Sequence, residues 1–297
     1  MPAPHLDTYQ TRLLTTGDVP SVERILRTSE YIYQRFTLNE LPLLLKHCPA
    51  VGLFHGKTLH SFLLSQSVSA PTAWIGGFGV SWTESSYYLE ILSRLLAALS
   101  ARLVTQGVLH LHYSGNDSER DWLRDILLKH GFLPYRRLNS YDKYDYSVPA
   151  PGNQQVLVRK VNIRDTWSKA SDMAALLSIE AACFEDLWRY DADGFADVAA
   201  THPYFVVVEH AGKVVGYQFN AIDSDYGYLV RIAVHPVASG KGIGIRLMTE
   251  AIRFFQRERV TRIMLNSQDD NTHAHHLYEW FGFVRIEQMG FVLRKVL

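Results

Sequence analysis

The two halves of this chain follow one plan, and this repetition constrains the fold more than any other feature of the 297-residue sequence. Each half has a helix-rich start, a strand pair around a Gly-Lys turn, an apolar strand and a long amphipathic helix. A further strand and a helix that ends at Gly-Phe complete each half. Gly56 and Gly131 lie 75 residues apart, and Gly212 and Gly282 lie 70 apart. A repeat of this length indicates a duplicated domain rather than a solenoid.

Hydrophobic periodicity defines the matching elements in the two halves. We predict apolar strands at 73–80 and 226–234, later strands at 108–113 and 262–267, and a closing strand pair at the end of each half. Each long helix has an apolar face. That face comprises Leu89, Leu92, Leu95, Leu96, Leu99 and Leu103 in the first half, and Leu247, Met248, Ala251, Ile252, Phe254 and Phe255 in the second.

A linker separates the two halves. Residues 147–155 contain two prolines, a glycine and polar residues, without helical or strand periodicity. The length also favours about two domains of ~150 residues each. We therefore predict two mixed α/β domains, at residues 1–148 and 155–297.

Charge and cysteine content limit the classes of partner. The 30 basic and 30 acidic residues cancel, and this balance argues against a nucleic-acid-binding protein, which typically has a basic stripe. No apolar run approaches the ~18–20 residues of a membrane span. Cys48 and Cys183 lie in different halves and form neither a disulfide framework nor a zinc pattern. We expect a cytoplasmic protein without nucleic-acid or membrane partners, as a monomer or homodimer.

A glycine loop follows the apolar strand of the second half and precedes its long helix. The loop holds Gly240, Gly242 and Gly244. Glycines let a ligand approach the backbone closely, and the free N–H groups of a helix N-terminus favour a phosphate. This order predicts a site for a phosphorylated ligand, while a glycine-rich turn without a ligand remains the alternative.

Two common phosphate motifs do not fit this loop. A P-loop requires Ser or Thr after its lysine, and Lys241 is followed by Gly242. A dinucleotide fingerprint requires Gly-x-Gly-x-x-Gly, whereas the spacing here is Gly-x-Gly-x-Gly. The corresponding segment of the first half lacks these glycines and has Trp82 and Glu84 where a phosphate would need space. We therefore expect one working site in the chain.

Two separate motifs in the second half match one known family. Gly242 and Gly244 match the glycines of Arg/Gln-x-x-Gly-x-Gly/Ala, with Ser239 in place of Arg or Gln. Residues 271–283 match Asn-x-x-Ala-x-x-Leu-Tyr-x-x-x-Gly-Phe. These are motifs of the GCN5-related N-acetyltransferase (GNAT) family. The opening at 179–188 is similar to that of its RimI-like N-terminal acetyltransferases.

The resemblance implies a fold and a cosubstrate. The fold is of the α+β type, with a mixed, mostly antiparallel central sheet flanked by helices in each domain, a catalytic C-terminal domain and a degenerate N-terminal one. The implied acyl donor is acetyl-CoA, with its pyrophosphate on the N–H groups of residues 239–244. Its pantetheine arm would follow residues 232–234, towards the point where this strand and that at 262–267 splay apart. The implied coenzyme-binding residues are Ile232, Ala233, Val234, Ser239, Gly240, Lys241, Gly242, Ile243, Gly244, Asn271 and Tyr278.

The resemblance also implies a direct attack of an amine on the thioester. Tyr278 stands at the family's general-acid position and would protonate the departing thiolate. A backbone N–H near Ile232 or Ala233 would stabilise the oxyanion. Asn271 would bind the coenzyme through its side-chain amide, and it also suits a helix N-cap.

The general base is not apparent from the sequence. RimI-like enzymes carry a Glu at the position of Asn266, which cannot accept a proton. The acidic candidates are Asp223, Asp225, Glu180 and Glu185, which also suit a solvated surface. The predicted function is acetyl transfer to a primary amine of a small molecule or of a peptide or protein N-terminus. A non-catalytic acyl-CoA sensor or scaffold is the alternative.

Three histidines near the second motif raise the question of a metal. His273 and His276 could share a helix face, with His275 between them. No third ligand with a set spacing accompanies them. We interpret them as a polar helix face and predict no metal.

Overall fold

The computed structural model of the chain describes residues 8–116, 121–163 and 171–297. It divides into two compact units: unit 1 comprises residues up to 136 together with 290–297, and unit 2 comprises residues 137–289. This division differs from the boundary expected at 148–155, because residues 137–148 join unit 2 and residues 290–297 join unit 1. The domain bounds 1–148 and 155–297 describe the repeat in the sequence, and they remain a prediction.

Unit 1 contains four α-helices in its described part. Pro20 at the start of the first helix and Pro42 at the start of the second occupy positions where a helix needs no N–H donor. The helices are α1 (Val19–Thr28), α2 (Leu41–His47), α3 (Tyr88–Val104) and α4 (Trp122–Lys129). The strands are β1 (Gln10–Leu13), β2 (Ile32–Gln34), β3 (Ala50–His55), β4 (Thr58–Ser69), β5 (Thr72–Val80) and β6 (His110–Asn116), followed by β7 (Leu133–Lys143), which continues into unit 2.

The sheet of unit 1 is mostly antiparallel, with the order β1-β3-β4-β5-β6. Its last strand is formed by residues 290–296, which pair with β6. β5 and β6 are parallel and pair over residues 72–74 and 110–112. Beyond it, residues 77–79 of β5 pair with β2 instead, so a segment of the chain itself lines the gap between β5 and β6.

A buried carboxylate lies at the start of the long helix of unit 1. Glu84 is 5% exposed and accepts a hydrogen bond from Tyr9 (2.9 Å) and close hydrogen bonds from Ser81 and Thr83. Its other contact is the His60 ring, whose Nδ1 lies 2.8 Å from Glu84 Oε2. Burial opposes ionisation, but these hydrogen bonds outweigh it and lower the pKa of Glu84. An internal anion therefore occupies this helix start, where unit 2 has its glycine loop.

Unit 2 repeats this plan after the linker. Its helices are α5 (Met173–Cys183), α6 (Ala192–Thr201), α7 (Ile243–Arg257) and α8 (Thr272–Trp280). Its strands are β8 (Leu157–Lys160), β9 (Tyr204–His210), β10 (Lys213–Asp223), β11 (Tyr226–Val234) and β12 (Arg262–Gln268), followed by β13 (Val284–Val296), which continues into unit 1.

The unit 2 sheet has the order β8-β9-β10-β11-β12, and residues 138–143 of β7 pair with β12 as its last strand. β11 and β12 are parallel, and the other pairs are antiparallel. Successive residues of each strand face opposite sides of the sheet, and a layer of helices packs on each side. Tyr217 and Phe219 pack with α5 and α6, while Val206 and Val208 pack under α7. The expected mixed, mostly antiparallel sheet flanked by helices is thus confirmed.

Two local expectations were wrong. Leu89 lies in the first turn of α3 and is 50% exposed, although the other five leucines predicted for that face are buried. Each half closes with one long strand, β7 or β13, rather than a strand pair, because neither segment contains an Asn-Gly or Asp-Gly turn. Among the described residues, no helix is both long enough and apolar enough to cross a membrane.

Candidate functional site

A gap between β11 and β12 forms the floor of the candidate site. The two strands pair over residues 226–228 and 262–264 and then diverge. Val230 is an extra residue in β11, because Phe219 pairs with Arg231 while Asn220 pairs with Leu229. Such a bulge bends the strand and re-aims its side chains. Beyond it, β10 covers one edge of residues 232–234, and no described strand pairs with the other.

The glycine loop lies at the end of this open strand. Gly240 and Gly242 have φ of +73° and +69°, a conformation that side chains disfavour. Gly242 caps α7, whose first three N–H groups, those of Ile243 to Ile245, have no intrahelical acceptor. The Ser239 N–H is already donated to the Pro236 carbonyl. The donors available for an anion are thus those of Gly240 onwards, one residue later than expected.

Helix α8 forms the facing wall. Asn271 caps it by accepting a hydrogen bond from the Ala274 N–H at 3.3 Å, as its N-cap reading predicted. A β-carbon at Gly244 would lie 3.8 Å from Leu277, so the two helices come close at this point. Tyr278, one residue further on, is 6% exposed and packs its ring against Tyr141 and Phe283.

A cavity of about 660 Å³ lies between these walls, entirely within unit 2. It brings together all the predicted coenzyme-binding residues except Lys241. Lys241 contributes its carbonyl to a hydrogen bond from the Asn153 side chain (2.9 Å) and is not among the lining residues. The predicted residues that line the cavity are Ile232, Ala233, Val234, Ser239, Gly240, Gly242, Ile243, Gly244, Asn271 and Tyr278.

Burial raises the pKa of two titratable groups in the cavity wall. The pKa of the Tyr278 hydroxyl rises to about 12, although a hydrogen bond with the Ser267 side chain acts in the opposite direction. Burial, reinforced by the Glu180 charge, raises the pKa of the Cys183 thiol to about 11. The Cys183 thiol donates to the Val234 carbonyl at 3.3 Å. Both groups therefore carry their protons at neutral pH.

None of the four acidic candidates for a general base lines the cavity. Asp223, Asp225 and Glu185 are exposed, and Glu180 is 1% exposed. Glu180 accepts hydrogen bonds from the Tyr217 hydroxyl and the Tyr190 N–H, and it lies 3.7 Å from Arg231. Its carboxylate is therefore engaged in the packing of α5.

Arg231 fastens the segment between α5 and α6 onto β11. Its guanidinium lies 4.0 Å from the Phe184 ring centre and 4.7 Å from that of Tyr190, and it donates to the Trp188 carbonyl. Cys183 and Phe184 consequently line the cavity next to the open strand. Asn266 is exposed on β12, where it pairs with Ser140.

Sequence reasoning missed part of the cavity wall. His273 and His276 were read as a plain polar face, yet both line the cavity together with Leu277 and Trp280. The spacing of these four residues, i, i+3, i+4 and i+7, is that of one helix face and could have revealed them. His275 points elsewhere, with its Nε2 2.8 Å from the Gln268 carbonyl. Within the described ranges, no cluster of three or more His, Cys, Asp or Glu is placed to hold a metal.

Comparison with known proteins points to one class. The model of the acetyltransferase (GNAT) family matches residues 172–283. The mycothiol acetyltransferase of Pseudarthrobacter chlorophenolicus is 24% identical over 211 residues, which cover 66% of this chain and 62% of that relative. N-alpha-acetyltransferase 30 of Saccharomyces cerevisiae is 40% identical over 63 residues, 21% of this chain and 36% of that protein. The chain thus spans less than two thirds of the length of either relative.

A solved structure extends the likeness to the whole chain. A tandem GNAT protein from the clavulanic acid biosynthesis pathway, solved without AcCoA, superposes with a TM-score of 0.65 at 12% identity and covers 97% of this chain and 98% of its own. At this identity the likeness concerns the fold. The fold is that of GNAT proteins, and the cleft between the splayed strands lies within the residues that the family model matches. Within the chain, residues 172–283 form a domain that matches the acetyltransferase (GNAT) family.

Proposed function

We propose that this protein is an N-acetyltransferase that moves an acetyl group from acetyl-CoA to a primary amine. The observation that carries the proposal is the convergence of three features on one cavity. These are the open edge of β11, the N-terminus of α7 with its glycine loop, and the Tyr278 side chain.

The cavity suits the three parts of the coenzyme. A pyrophosphate fits the N–H groups from Gly240 to Ile245, since the α7 dipole favours negative charge there. A pantetheine arm, which has amide groups, fits the unpaired edge of residues 232–234 as an added strand does. The thioester would then lie beside the bulge at Val230, near the N–H of Ile232 or Ala233, where an oxyanion needs a donor.

Tyr278 is the proposed general acid. Tyr278 lines the cavity, and its raised pKa keeps the hydroxyl protonated at neutral pH. When the amine attacks the thioester carbonyl, the C–S bond breaks and the thiolate leaves. The Tyr278 proton passes to this sulfur, and the attacking nitrogen loses a proton to water or to a base reached through water.

The acceptor is proposed only as a class. A primary amine of a small molecule and a peptide or protein N-terminus both fit, and the named relatives include enzymes of each kind. The described residues that line the cavity include no Asp or Glu. An amine that is already partly neutral, such as an α-amine with a pKa of about 8, is therefore favoured over a lysine side chain.

The test combines coenzyme binding with turnover. Calorimetry should detect acetyl-CoA binding, and a panel of α-amines and amino sugars should reveal transfer. Tyr278→Phe should retain coenzyme affinity while its rate falls by ~10²-fold, the usual contribution of a general acid. An unchanged rate would remove Tyr278 from the mechanism.

The lack of a lining carboxylate also favours a second candidate, a non-catalytic acyl-CoA sensor or scaffold. Such a protein needs the coenzyme site but no base. Tight acetyl-CoA binding without transfer to any amine of the panel would select this alternative. Absence of coenzyme binding would exclude both.

A further inference from the structure

We propose that His273, His276 and Trp280 form a second wall for the nucleotide end of the coenzyme, with the two imidazoles on phosphate oxygens and the indole against the base. This inference rests on the proposed coenzyme site and adds the residues that select the phosphorylated, adenine-bearing end. All three residues lie on the face of α8 that lines the cavity opposite the glycine loop.

The contact between Leu277 and Gly244 fixes where this face lies. A β-carbon at Gly244, in the first turn of α7, would be 3.8 Å from the Leu277 side chain. His276 precedes Leu277, and His273 and Trp280 lie about one turn to either side of it. The side chains on this face therefore flank the free N–H groups of α7, which are where a pyrophosphate is expected.

The histidines of α8 divide by what they contact. His275 is partly buried, holds the Gln268 carbonyl at 2.8 Å and packs its ring 5.8 Å from Tyr141. His273 and His276 are exposed, and neither forms a hydrogen bond or ion pair with a described residue. Two imidazoles with free N–H donors thus border a cavity that also presents backbone N–H groups.

The cationic side chains near the cavity leave the phosphates of CoA without a side-chain partner, and the two histidines can bind them. CoA carries a pyrophosphate and a 3′-phosphate. Lys241 is not among the lining residues, and Arg246 is engaged by Glu250 at 3.1 Å and by Gln154 at 2.9 Å. The imidazole N–H groups of His273 and His276 are then unengaged side-chain donors in the cavity lining, and hydrogen bonds to a charged phosphate are the stronger kind.

Trp280 supplies the apolar part of the wall. Half of its surface is exposed, although it packs edge-on against Phe281 at 5.4 Å. An indole at the rim of a cavity can stack on a purine ring, and base–aromatic stacking is a favourable, geometry-tolerant contact. The adenine of CoA is the purine that would reach this position.

The experiment measures dissociation constants for CoA, dephospho-CoA and pantetheine by calorimetry. The variants are His273→Gln/His276→Gln together, and Trp280→Leu. His275→Gln is the matched histidine control on the same helix, and Trp82→Leu, a 61% exposed tryptophan of unit 1, is the matched tryptophan control. We expect the double variant to bind CoA roughly tenfold or more weakly, with pantetheine binding unchanged.

The comparison of CoA with dephospho-CoA identifies which phosphate the histidines bind. If the histidines bind the 3′-phosphate, the preference for CoA over dephospho-CoA disappears in the double variant. If they bind the pyrophosphate, both ligands weaken equally. Trp280→Leu should weaken both nucleotides but not pantetheine, and neither control should change the order of affinities.

Three outcomes would overturn the inference. CoA affinity that is unchanged in both variants, with the wild type binding and transferring normally, refutes this wall but leaves the proposed function intact. An equal loss of affinity for CoA and pantetheine assigns the residues to packing. A wild type that binds none of the ligands refutes the coenzyme site and this wall together.

Discussion

The Tyr33 hydroxyl donates a hydrogen bond of 2.9 Å to the Ser114 carbonyl, and it thereby links β2 to the diverging part of β6. β2 itself pairs with residues 77–79 of β5. In unit 2 the equivalent edge of β11 is unpaired among the described strands. The two copies of the fold thus differ in whether the chain fills its own cleft.

We predict one coenzyme per chain. The cleft of unit 1 is occupied by β2, and its helix start holds the Glu84 carboxylate, which repels a phosphate. Calorimetric titration with acetyl-CoA should give a stoichiometry close to one. Tyr33→Phe should lower the free energy of unfolding by about 1 kcal/mol, the value of one hydrogen bond, without creating a second site. A stoichiometry of two would contradict this account.

Substitution of Gly244 by alanine would obstruct the approach of a ligand without straining the backbone. It lies in the first turn of α7, where Ala is the better helix former, and an added methyl group would make an ordinary contact with Leu277. Gly244→Ala should therefore leave the free energy of unfolding unchanged or raise it by up to about 1 kcal/mol. Because the methyl group faces the cavity, coenzyme affinity should fall several-fold.

Gly240 is the contrasting position on the same loop. Its φ of +73° penalises any side chain, yet a β-carbon there would meet no atom within 4 Å. Gly240→Ala should cost about 1–2 kcal/mol of folding stability. Denaturant unfolding and calorimetry on both variants check the pair. Undiminished coenzyme affinity in Gly244→Ala would place the ligand away from α7.

The sequence predicted those features that local pattern determines. The strand at 226–234 matches β11, and the apolar face of α7 from Leu247 to Phe255 is buried, because alternation and the 3.6-residue period record burial directly. The order strand, glycine loop, helix was enough to predict an anion site. The same reasoning predicted the loss of that site in the first half from Trp82 and Glu84.

Other features depend on long-range pairing and were not predictable. No local signal indicates that residues 290–296 pair with β6, or that β2 fills a cleft more than 40 residues away in sequence. Trp82 is 61% exposed, and Glu84, its neighbour in the same turn, is buried by His60 and Tyr9 from distant segments. The direction in which each histidine of α8 points also depends on the packing of the helix.

Ser267 should tune the proposed acid. A hydrogen bond with its side chain lowers the Tyr278 pKa, which burial has raised to about 12. Ser267→Ala removes that hydrogen bond, so the pKa rises further and the phenol becomes a weaker acid. We expect kcat to fall several-fold with unchanged coenzyme affinity, because the weaker acid protonates the departing thiolate more slowly.

The pH–rate profile checks the same assignment. A raised tyrosine pKa keeps the proton donor intact up to about pH 11, so the wild type should show no basic limb below pH 10. The rate should instead rise with pH as the acceptor amine, with a pKa of about 8 for an α-amine, loses its proton. A basic limb between pH 7 and 9 that vanishes in Tyr278→Phe would contradict the pKa on which this argument rests.

His112 should make folding stability depend on pH. Its ring is 1% exposed on β6, and Nδ1 lies 3.3 Å from the Ala73 carbonyl. Burial, with smaller effects of His110 and Arg294, lowers its pKa from 6.5 to about 4. The folded protein therefore keeps His112 neutral while the unfolded chain gains a proton below pH 6.5. This stabilisation is complete above pH 6.5 and is lost as the pH falls towards 4.

The expected loss is on the order of 3 kcal/mol between pH 7 and pH 4. His112→Phe keeps a ring of similar size in the sheet but cannot bind a proton. Urea unfolding at a series of pH values should show a shallower decrease in the free energy of unfolding for the variant than for the wild type. Parallel curves would mean that the folded protein protonates His112 as readily as the unfolded chain does, and the burial argument would fail.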